Sequence, residues 1–129
     1  MRVSTGIDII EVDRVRKNIE KYEDRFLNKV YTEKEIEYCE GKKVQKYESY
    51  AGRFAAKEAV FKAISGMLDN KFDIDWKDIE VINDKNGRPL VNVNTKLKTS
   101  RLVEIVGIDI SISHVKDTAV ASVVVVTNN

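Results

Sequence analysis

The sequence predicts an α+β fold in which a small antiparallel β-sheet packs against one long central helix. Three observations support this class. Residues 44–65 are apolar around much of a helical circumference, which is typical of a buried helix. Residues 108–113 alternate apolar and polar side chains, as a half-buried strand does. Asn86-Gly87 separates two β-prone segments and indicates a hairpin. With 129 residues in total, we expect a single domain over residues 1–129.

The first 30 residues predict a strand followed by a helix. Val3 to Ile10 is β-prone. From Val12 the apolar residues recur at spacings of three and four, which is the helical period. The buried face of this helix is predicted to carry Val12, Val15, Ile19, Tyr22 and Phe26. A row of cations on the solvent side, here called the basic ridge, consists of Arg14, Lys17, Lys21 and Arg25.

Two further helices are predicted before the chain turns to strands. Thr32 and Glu35 form a capping box, which predicts a short helix that ends near Gly41. The long central helix follows from about Val44 to Ser65 and ends at Gly66.

The second half of the chain is predicted to be rich in strands. Segments 79–83 and 90–93 form the hairpin, residues 108–113 form the next strand, and residues 118–126 return beside it. Leu97 to Val106 is ambiguous, and we favour a short helix that starts at Thr95.

Composition excludes several classes of protein. Lys and Arg total 22 and Asp and Glu total 21, and a net charge of +1 argues against a general nucleic-acid binder. The single cysteine, Cys39, favours a reducing compartment, and with only one histidine a Cys/His zinc site is not expected. The N-terminus has no apolar signal core, and the longest apolar run, Val123 to Val126, is far shorter than a membrane span. We therefore expect a cytoplasmic protein.

Glu58 is the most informative residue for chemistry, because it is a carboxylate amid the apolar surface of the predicted central helix. An unpaired buried charge is costly, so a cation should meet it. One interpretation is an ordinary ion pair with Lys62, four residues on in the favourable order. The other is a metal ligand, with Lys62 facing an anion held by the same metal.

Asp8 and His114 each allow a structural and a functional interpretation. Asp8 follows Gly6 near the end of the first strand, so it could cap the next helix together with Asp13 or bind a cation. Two separate carboxylates, Asp8 and Glu58, with phosphates and water would suit Mg²⁺. His114 ends a strand close to two serines, which suits either a structural role or a phosphate contact.

The basic ridge also has two interpretations. Most charged helix faces are simply solvated. However, like charges at four-residue spacing repel each other, and an acidic protein partner would relieve that repulsion. No glycine-rich phosphate loop, nucleophile elbow or dinucleotide fingerprint is present, so the common signatures of kinases, hydrolases and Rossmann enzymes are missing.

Three segments together resemble the motifs of the 4′-phosphopantetheinyl transferases, and most closely the short bacterial holo-[acyl-carrier-protein] synthase type. They are Gly6-Ile7-Asp8-Ile9, Phe54-Ala55-Ala56-Lys57-Glu58-Ala59-Val60-Phe61-Lys62 and Ser111-Ile112-Ser113-His114. The resemblance spans nearly the whole chain. Thr5 departs from it, because the family often has an aliphatic residue there. Asp109 lies in a second Gly-Ile-Asp-Ile copy that aligns to the approach to Ser111, so it inherits no metal role.

The resemblance implies a reaction in fatty acid biosynthesis. The phosphopantetheine arm of coenzyme A moves to a serine of apo acyl carrier protein, and adenosine 3′,5′-bisphosphate leaves. It implies that Asp8 and Glu58 bind Mg²⁺ with the pyrophosphate and that Lys62 stabilises phosphate charge or helps to manage the proton. Arg53 and His114 become candidates for other phosphates of coenzyme A.

The resemblance also implies partners and assembly. The basic ridge would meet the acidic carrier protein, and neither a nucleic acid nor a membrane is expected as partner. Longer members place two related halves around one site, whereas this chain is one half, so a homotrimer with sites at subunit interfaces is implied; the apolar run 123–126 could help to bury that interface. Two alternatives stay open: a non-catalytic module that binds acyl carrier protein, and a sibling transferase that prefers carrier domains of peptide or polyketide synthases.

Overall fold

A computed structural model describes residues 1–94 and 101–128 of the chain. Its helices and strands alternate with short 3₁₀ turns. In chain order the elements are β1 (Arg2–Glu11), α1 (Val12–Tyr22), α2 (Asp24–Val30), α3 (Glu33–Glu40), α4 (Lys46–Ile64), β2 (Ile79–Asn83), β3 (Pro89–Val93), β4 (Ile105–His114) and β5 (Thr118–Thr127).

The strands of the described residues form two antiparallel sheets. The larger has the order β1-β5-β4, and the smaller is the predicted β2-β3 hairpin. Asp8 lies opposite Ala121 inside β1, and His114 lies opposite Ala119 at the end of β4. Helix α4 packs on one face of the larger sheet, which confirms the predicted α+β class with a long central helix.

The contact between β1 and α4 depends on a glycine. A Cβ built on Gly6 would lie 1.9 Å from the carbonyl oxygen of Ala59 and 3.1 Å from the backbone nitrogen of Ala63. No side chain fits at that distance, so only glycine lets the strand approach the helix this closely. Alternate residues of a strand face the same side, and Asp8 therefore also faces α4.

The predicted first helix is in fact two helices. Glu23 adopts a positive φ of 49°, and its backbone N–H donates to the carbonyl of Ile19, which ends α1. Val12, Val15 and Ile19 are buried as predicted, but the break turns Tyr22 outwards. Arg25 consequently lies on α2.

The helix boundaries otherwise follow the local signals. The Thr32–Glu35 capping box is present, and α3 ends just before Gly41. Helix α4 begins at Lys46, two residues later than predicted, because residues 43–45 form a 3₁₀ turn that Lys43 enters with a positive φ.

Between β3 and β4 the structure describes one short 3₁₀ turn. The proposed helix start at Thr95 lies outside the described residues. In the described part of this segment, residues 102–104 form a single 3₁₀ turn and β4 begins at Ile105. No helix within residues 1–94 and 101–128 is long and apolar enough to cross a membrane.

Candidate active site

Asp8 and Glu58 line the same cavity, which has a volume of about 420 Å³. Asp8 comes from β1 and Glu58 from α4, and the glycine contact described above holds these two elements together. Phe54 and Trp76 provide apolar wall, and Arg14 of the basic ridge reaches the rim. The cavity thus combines two carboxylates, two cations and an apolar surface.

Lys62 forms an ion pair with Asp8. Its Nζ donates to Asp8 Oδ1 at 3.0 Å and to the carbonyl oxygen of Ile7 at 3.0 Å. Among the ion pairs of the described residues, Lys62 is found with Asp8 and not with Glu58, so the ordinary helix pair considered above does not form. The capping interpretation of Asp8 is also wrong, because Glu11 occupies the N-cap position of α1 and no side chain caps it.

The ionised form of the Glu58 carboxyl is destabilised by its surroundings. Burial raises the pKa of the Glu58 carboxyl, the negative charge of Asp8 raises it further, and Lys62 opposes both effects. A cation between the two carboxylates would relieve their repulsion.

The donor set suits one kind of metal better than others. Within the described residues, no three side chains of the His, Cys, Asp or Glu type come together as a ligand cluster. A closed zinc-type site therefore does not fit this part of the chain. Mg²⁺ does fit, because it is commonly held by one or two carboxylates and completes its shell with water and phosphate oxygens.

Arg53 and His114 meet in a second cavity of about 220 Å³. Arg53 is only 5% exposed, its guanidinium lies 3.8 Å from the ring centroid of Tyr38, and its Nη2 donates to Asn83 Oδ1. Its buried Nε has no hydrogen-bond partner among the described residues. His114 is exposed at the rim, and Lys42 adds a cation, so the cavity suits an anion. Neither Asp8 nor Glu58 lines it.

The basic ridge is exposed but not continuous. Lys17 is 3.0 Å from Asp13, and that hydrogen bond lowers the pKa of the Asp13 carboxyl. Lys21 and Arg25 lie on different helices, yet both charged groups lie over the ring of Tyr22, at 5.2 and 5.6 Å from its centroid. The helical four-residue repulsion argued from the sequence does not apply to this last pair.

The second Gly-Ile-Asp-Ile copy lies in β4, away from the carboxylate pair. Asp109 is exposed and forms an ion pair of 2.7 Å with Arg88. It lines neither of the two cavities described above.

Residues 4–121 match the family model described as "4′-phosphopantetheinyl transferase superfamily". The chain belongs to this superfamily. It is 44% identical over 127 residues to a holo-[acyl-carrier-protein] synthase of Ruminiclostridium cellulolyticum, an alignment that covers 97% of this chain and 92% of the relative.

Solved structures agree with this membership. A holo-(acyl-carrier-protein) synthase from Bacillus anthracis in complex with CoA (3′,5′-ADP) is 37% identical, with a TM-score of 0.76 over 97% of this chain and 96% of the other. The Helicobacter pylori synthase in complex with coenzyme A is 29% identical, with a TM-score of 0.78 over 95% and 99% of the two chains. The shared architecture extends over nearly the full length of these superfamily members.

Sequence reasoning missed one buried cation of the superfamily motif. We expected Glu58 to be the enclosed charge of α4, but Glu58 is half-buried and its neighbour Lys57 is fully buried. Burial lowers the pKa of Lys57, and the nearby carboxylate of Glu35 opposes that shift. The sequence did contain a signal, since Phe54 and Val60, three residues before and after Lys57, are both apolar and share its side of α4.

Proposed function

We infer that this chain transfers the 4′-phosphopantetheine arm of coenzyme A to a serine of apo acyl carrier protein and releases adenosine 3′,5′-bisphosphate. The observation that carries this function is the meeting of Asp8 and Glu58 at one cavity, with Lys62 ion-paired to Asp8, in a chain from the phosphopantetheinyl transferase superfamily. Relatives that align over nearly the full length are named holo-[acyl-carrier-protein] synthases, which supports the substrate pair.

We propose that Asp8 and Glu58 hold Mg²⁺ together with the pyrophosphate of coenzyme A. Bound there, Mg²⁺ would neutralise charge that develops on the phosphoryl oxygens and the leaving group. The Lys62 side chain is 51% exposed, so its ammonium is free to turn from Asp8 towards a phosphate oxygen. Lys62 then stabilises the same developing charge as a positioned cation.

Arg53 and His114 are proposed to bind the remaining phosphates of coenzyme A. The enclosed guanidinium has one N–H without a partner among the described residues, which is an unmet hydrogen bond that an anion can satisfy. Lys42 and the exposed His114 add donors at the same cavity.

We further propose a homotrimer whose sites lie at subunit interfaces. Within one chain, Asp8 and Glu58 line one cavity, and Arg53 and His114 line another. A site at a subunit interface would place the carboxylate pair of one copy beside the Arg53–His114 pair of a second copy. The sheet face opposite α4 exposes Ile7, Ile9 and Val124 at 63%, 69% and 42%, which is an apolar surface suited to a second copy. Of the predicted run 123–126, Val123 and Val125 face α4 instead and are buried within the chain.

The exposed cations of the basic ridge are proposed to dock the acidic carrier protein. Arg14 reaches the cavity rim beside Asp8, so a carrier bound along α1 would present its serine close to the carboxylates. In this proposal the chain acts as one transferase domain, in the cytoplasm, in fatty acid biosynthesis.

A mass measurement tests the function directly. Apo acyl carrier protein incubated with coenzyme A, Mg²⁺ and this chain should gain one phosphopantetheinyl group. Asp8→Asn and Glu58→Gln should each slow that gain at least about a hundredfold, since each removes one of two charged ligands. Binding of the carrier without a mass gain would instead identify a non-catalytic carrier-binding module.

A further inference from the structure

The ammonium of Lys57 is enclosed by three acceptors. Its Nζ donates to Glu35 Oε1 at 2.7 Å, to the carbonyl oxygen of Trp76 at 2.9 Å and to that of Ile79 at 2.7 Å. A lysine ammonium has three N–H groups, so all of them are used. With no exposed surface and no free N–H, Lys57 is not placed to exchange a proton with a substrate.

The carboxylate of Glu35 is equally well satisfied. Besides Lys57, it accepts from the backbone N–H of Thr32 at 2.8 Å and from that of Val81 at 2.8 Å. A buried ion pair is tolerated when hydrogen bonds satisfy both partners in this way. The pair therefore ties together α3, α4 and the turn that leads into β2.

The same pair reaches the candidate active site through Trp76. The carbonyl of Trp76 is held by Lys57, its ring lies 4.9 Å from that of Phe54, and its side chain lines the cavity of Asp8 and Glu58. A smaller cavity of about 180 Å³ has Lys57, Glu58 and Trp76 in its wall. Trp76 thus forms a wall shared by the two cavities beside Glu58, and the hydrogen bond from Lys57 holds the backbone of Trp76 in place.

We propose that Lys57 is a positioning residue, whose buried pair with Glu35 fixes the Trp76 wall against α4 and so sets the direction of the Glu58 carboxylate. The inference rests on the proposed function where it treats Glu58 as a ligand of Mg²⁺. Groups that orient a metal ligand without touching the metal typically change metal affinity 10- to 100-fold when they are removed.

The decisive variant is the double substitution Lys57→Met with Glu35→Gln. It removes both charges, so no unpaired charge is left in the core, and folding should survive better than in Lys57→Met alone. Lys77→Met is the matched control, because it makes the same change at an exposed lysine next to Trp76. Trp76 is the only tryptophan of the chain, so its fluorescence reports directly on the wall.

Three quantities should change in the folded double variant. Quenching of Trp76 by acrylamide should rise at least about twofold, the affinity for Mg²⁺ measured by calorimetry with coenzyme A present should fall at least about tenfold, and kcat should fall with it. The KM for coenzyme A, measured at saturating Mg²⁺, should change less than about threefold, since the Arg53–His114 cavity does not include Lys57, Glu35 or Trp76. The control should match the wild type in all four.

A double variant that is folded and retains wild-type quenching and Mg²⁺ affinity would overturn the proposal. If the double variant does not fold, Glu35→Asp replaces it in the test. This substitution keeps both charges but shortens the side chain, so the carboxylate moves away from Lys57. Unchanged Mg²⁺ affinity in Glu35→Asp would also overturn the proposal. A wild-type chain that loads no carrier, or binds no Mg²⁺, would instead refute the proposed function. The quenching of Trp76 in the variants then decides alone whether Lys57 holds the wall.

Discussion

Gly6→Ala should separate the two carboxylates of the candidate site without touching either. The added methyl would lie 1.9 Å from the carbonyl oxygen of Ala59, whereas ordinary contact begins at 3.4 Å, so one partner must retreat by 3.4 − 1.9 = 1.5 Å. The helix cannot easily yield, because that oxygen belongs to the interior hydrogen-bonding ladder of α4. The strand must therefore move, although it is paired with β5 along its length.

The displacement is transmitted to Asp8, two residues along the same strand face. The exposed Lys62 side chain can follow Asp8, but a shift of this size moves the Asp8 carboxylate away from Glu58, which is fixed on α4. Misplacement of a reacting group by about 1 Å can cost about a hundredfold in rate. Overpacking of this kind typically costs about 1–3 kcal/mol, which corresponds to a fall in Tm of roughly 5–15 °C for a chain of this length.

The assay is the initial rate of carrier loading by mass, measured beside thermal unfolding. Gly66→Ala is the control, since a methyl there meets no atom within 4 Å and the backbone has no positive φ. We expect the control to behave as the wild type. A Gly6→Ala protein with a rate within threefold of wild type and an unchanged Tm would refute the argument that the close approach sets the site.

Three further predictions follow from the electrostatics. Reversal of Arg14 and Arg25 to Glu should weaken carrier binding about tenfold at low salt and leave coenzyme A binding intact, as measured by titration calorimetry; equal carrier affinity would count against docking on the ridge. The folded-state pKa of Glu58 is raised, so ionisation of this carboxyl destabilises the fold above that pKa. Glu58→Gln should therefore be more stable than wild type at neutral pH. It should lose this advantage as the pH falls below the ordinary carboxyl range, which chemical unfolding across that pH range measures. Lys62→Met removes the cation that opposes the repulsion between Asp8 and Glu58, so NMR titration should show a further rise in the pKa of Glu58, and an unchanged value would contradict the electrostatic effect of Lys62 on Glu58.

Features encoded by neighbouring residues were predictable from the sequence. The Thr32–Glu35 capping box and the hairpin around Asn86-Gly87 appear where their local signals place them, because each depends on a few adjacent residues. The break at Glu23, in contrast, was not predicted, because no local signal marks it. Its positive φ occurs at a residue that is neither glycine nor asparagine, so nothing local announces it.

The residues that form the site were predictable from the sequence, but the ion pairs between them were not. The motifs indicated Asp8, Glu58 and Lys62, yet the partner of Lys62 is Asp8, 54 residues away, and not the carboxylate one helical turn away. Which of Lys57 and Glu58 enters the core is likewise decided by groups distant in sequence. Glu35, one carbonyl of the turn before β2 and the first carbonyl of β2 itself offer acceptors to a lysine and no donor to a carboxylate.

The two lysines of the motif therefore have opposite environments and opposite consequences. Lys57 is enclosed with every N–H satisfied, so its charge can serve only to hold neighbouring segments in place. Lys62 is half exposed and shares a single carboxylate, so its charge is available to an incoming anion at the cost of one exposed ion pair, about 1 kcal/mol or less. Glu58 lies between them in sequence and has neither as an ion-pair partner among the described residues, which leaves its carboxylate the less compensated of the two in the cavity and the one with more to gain from a bound cation.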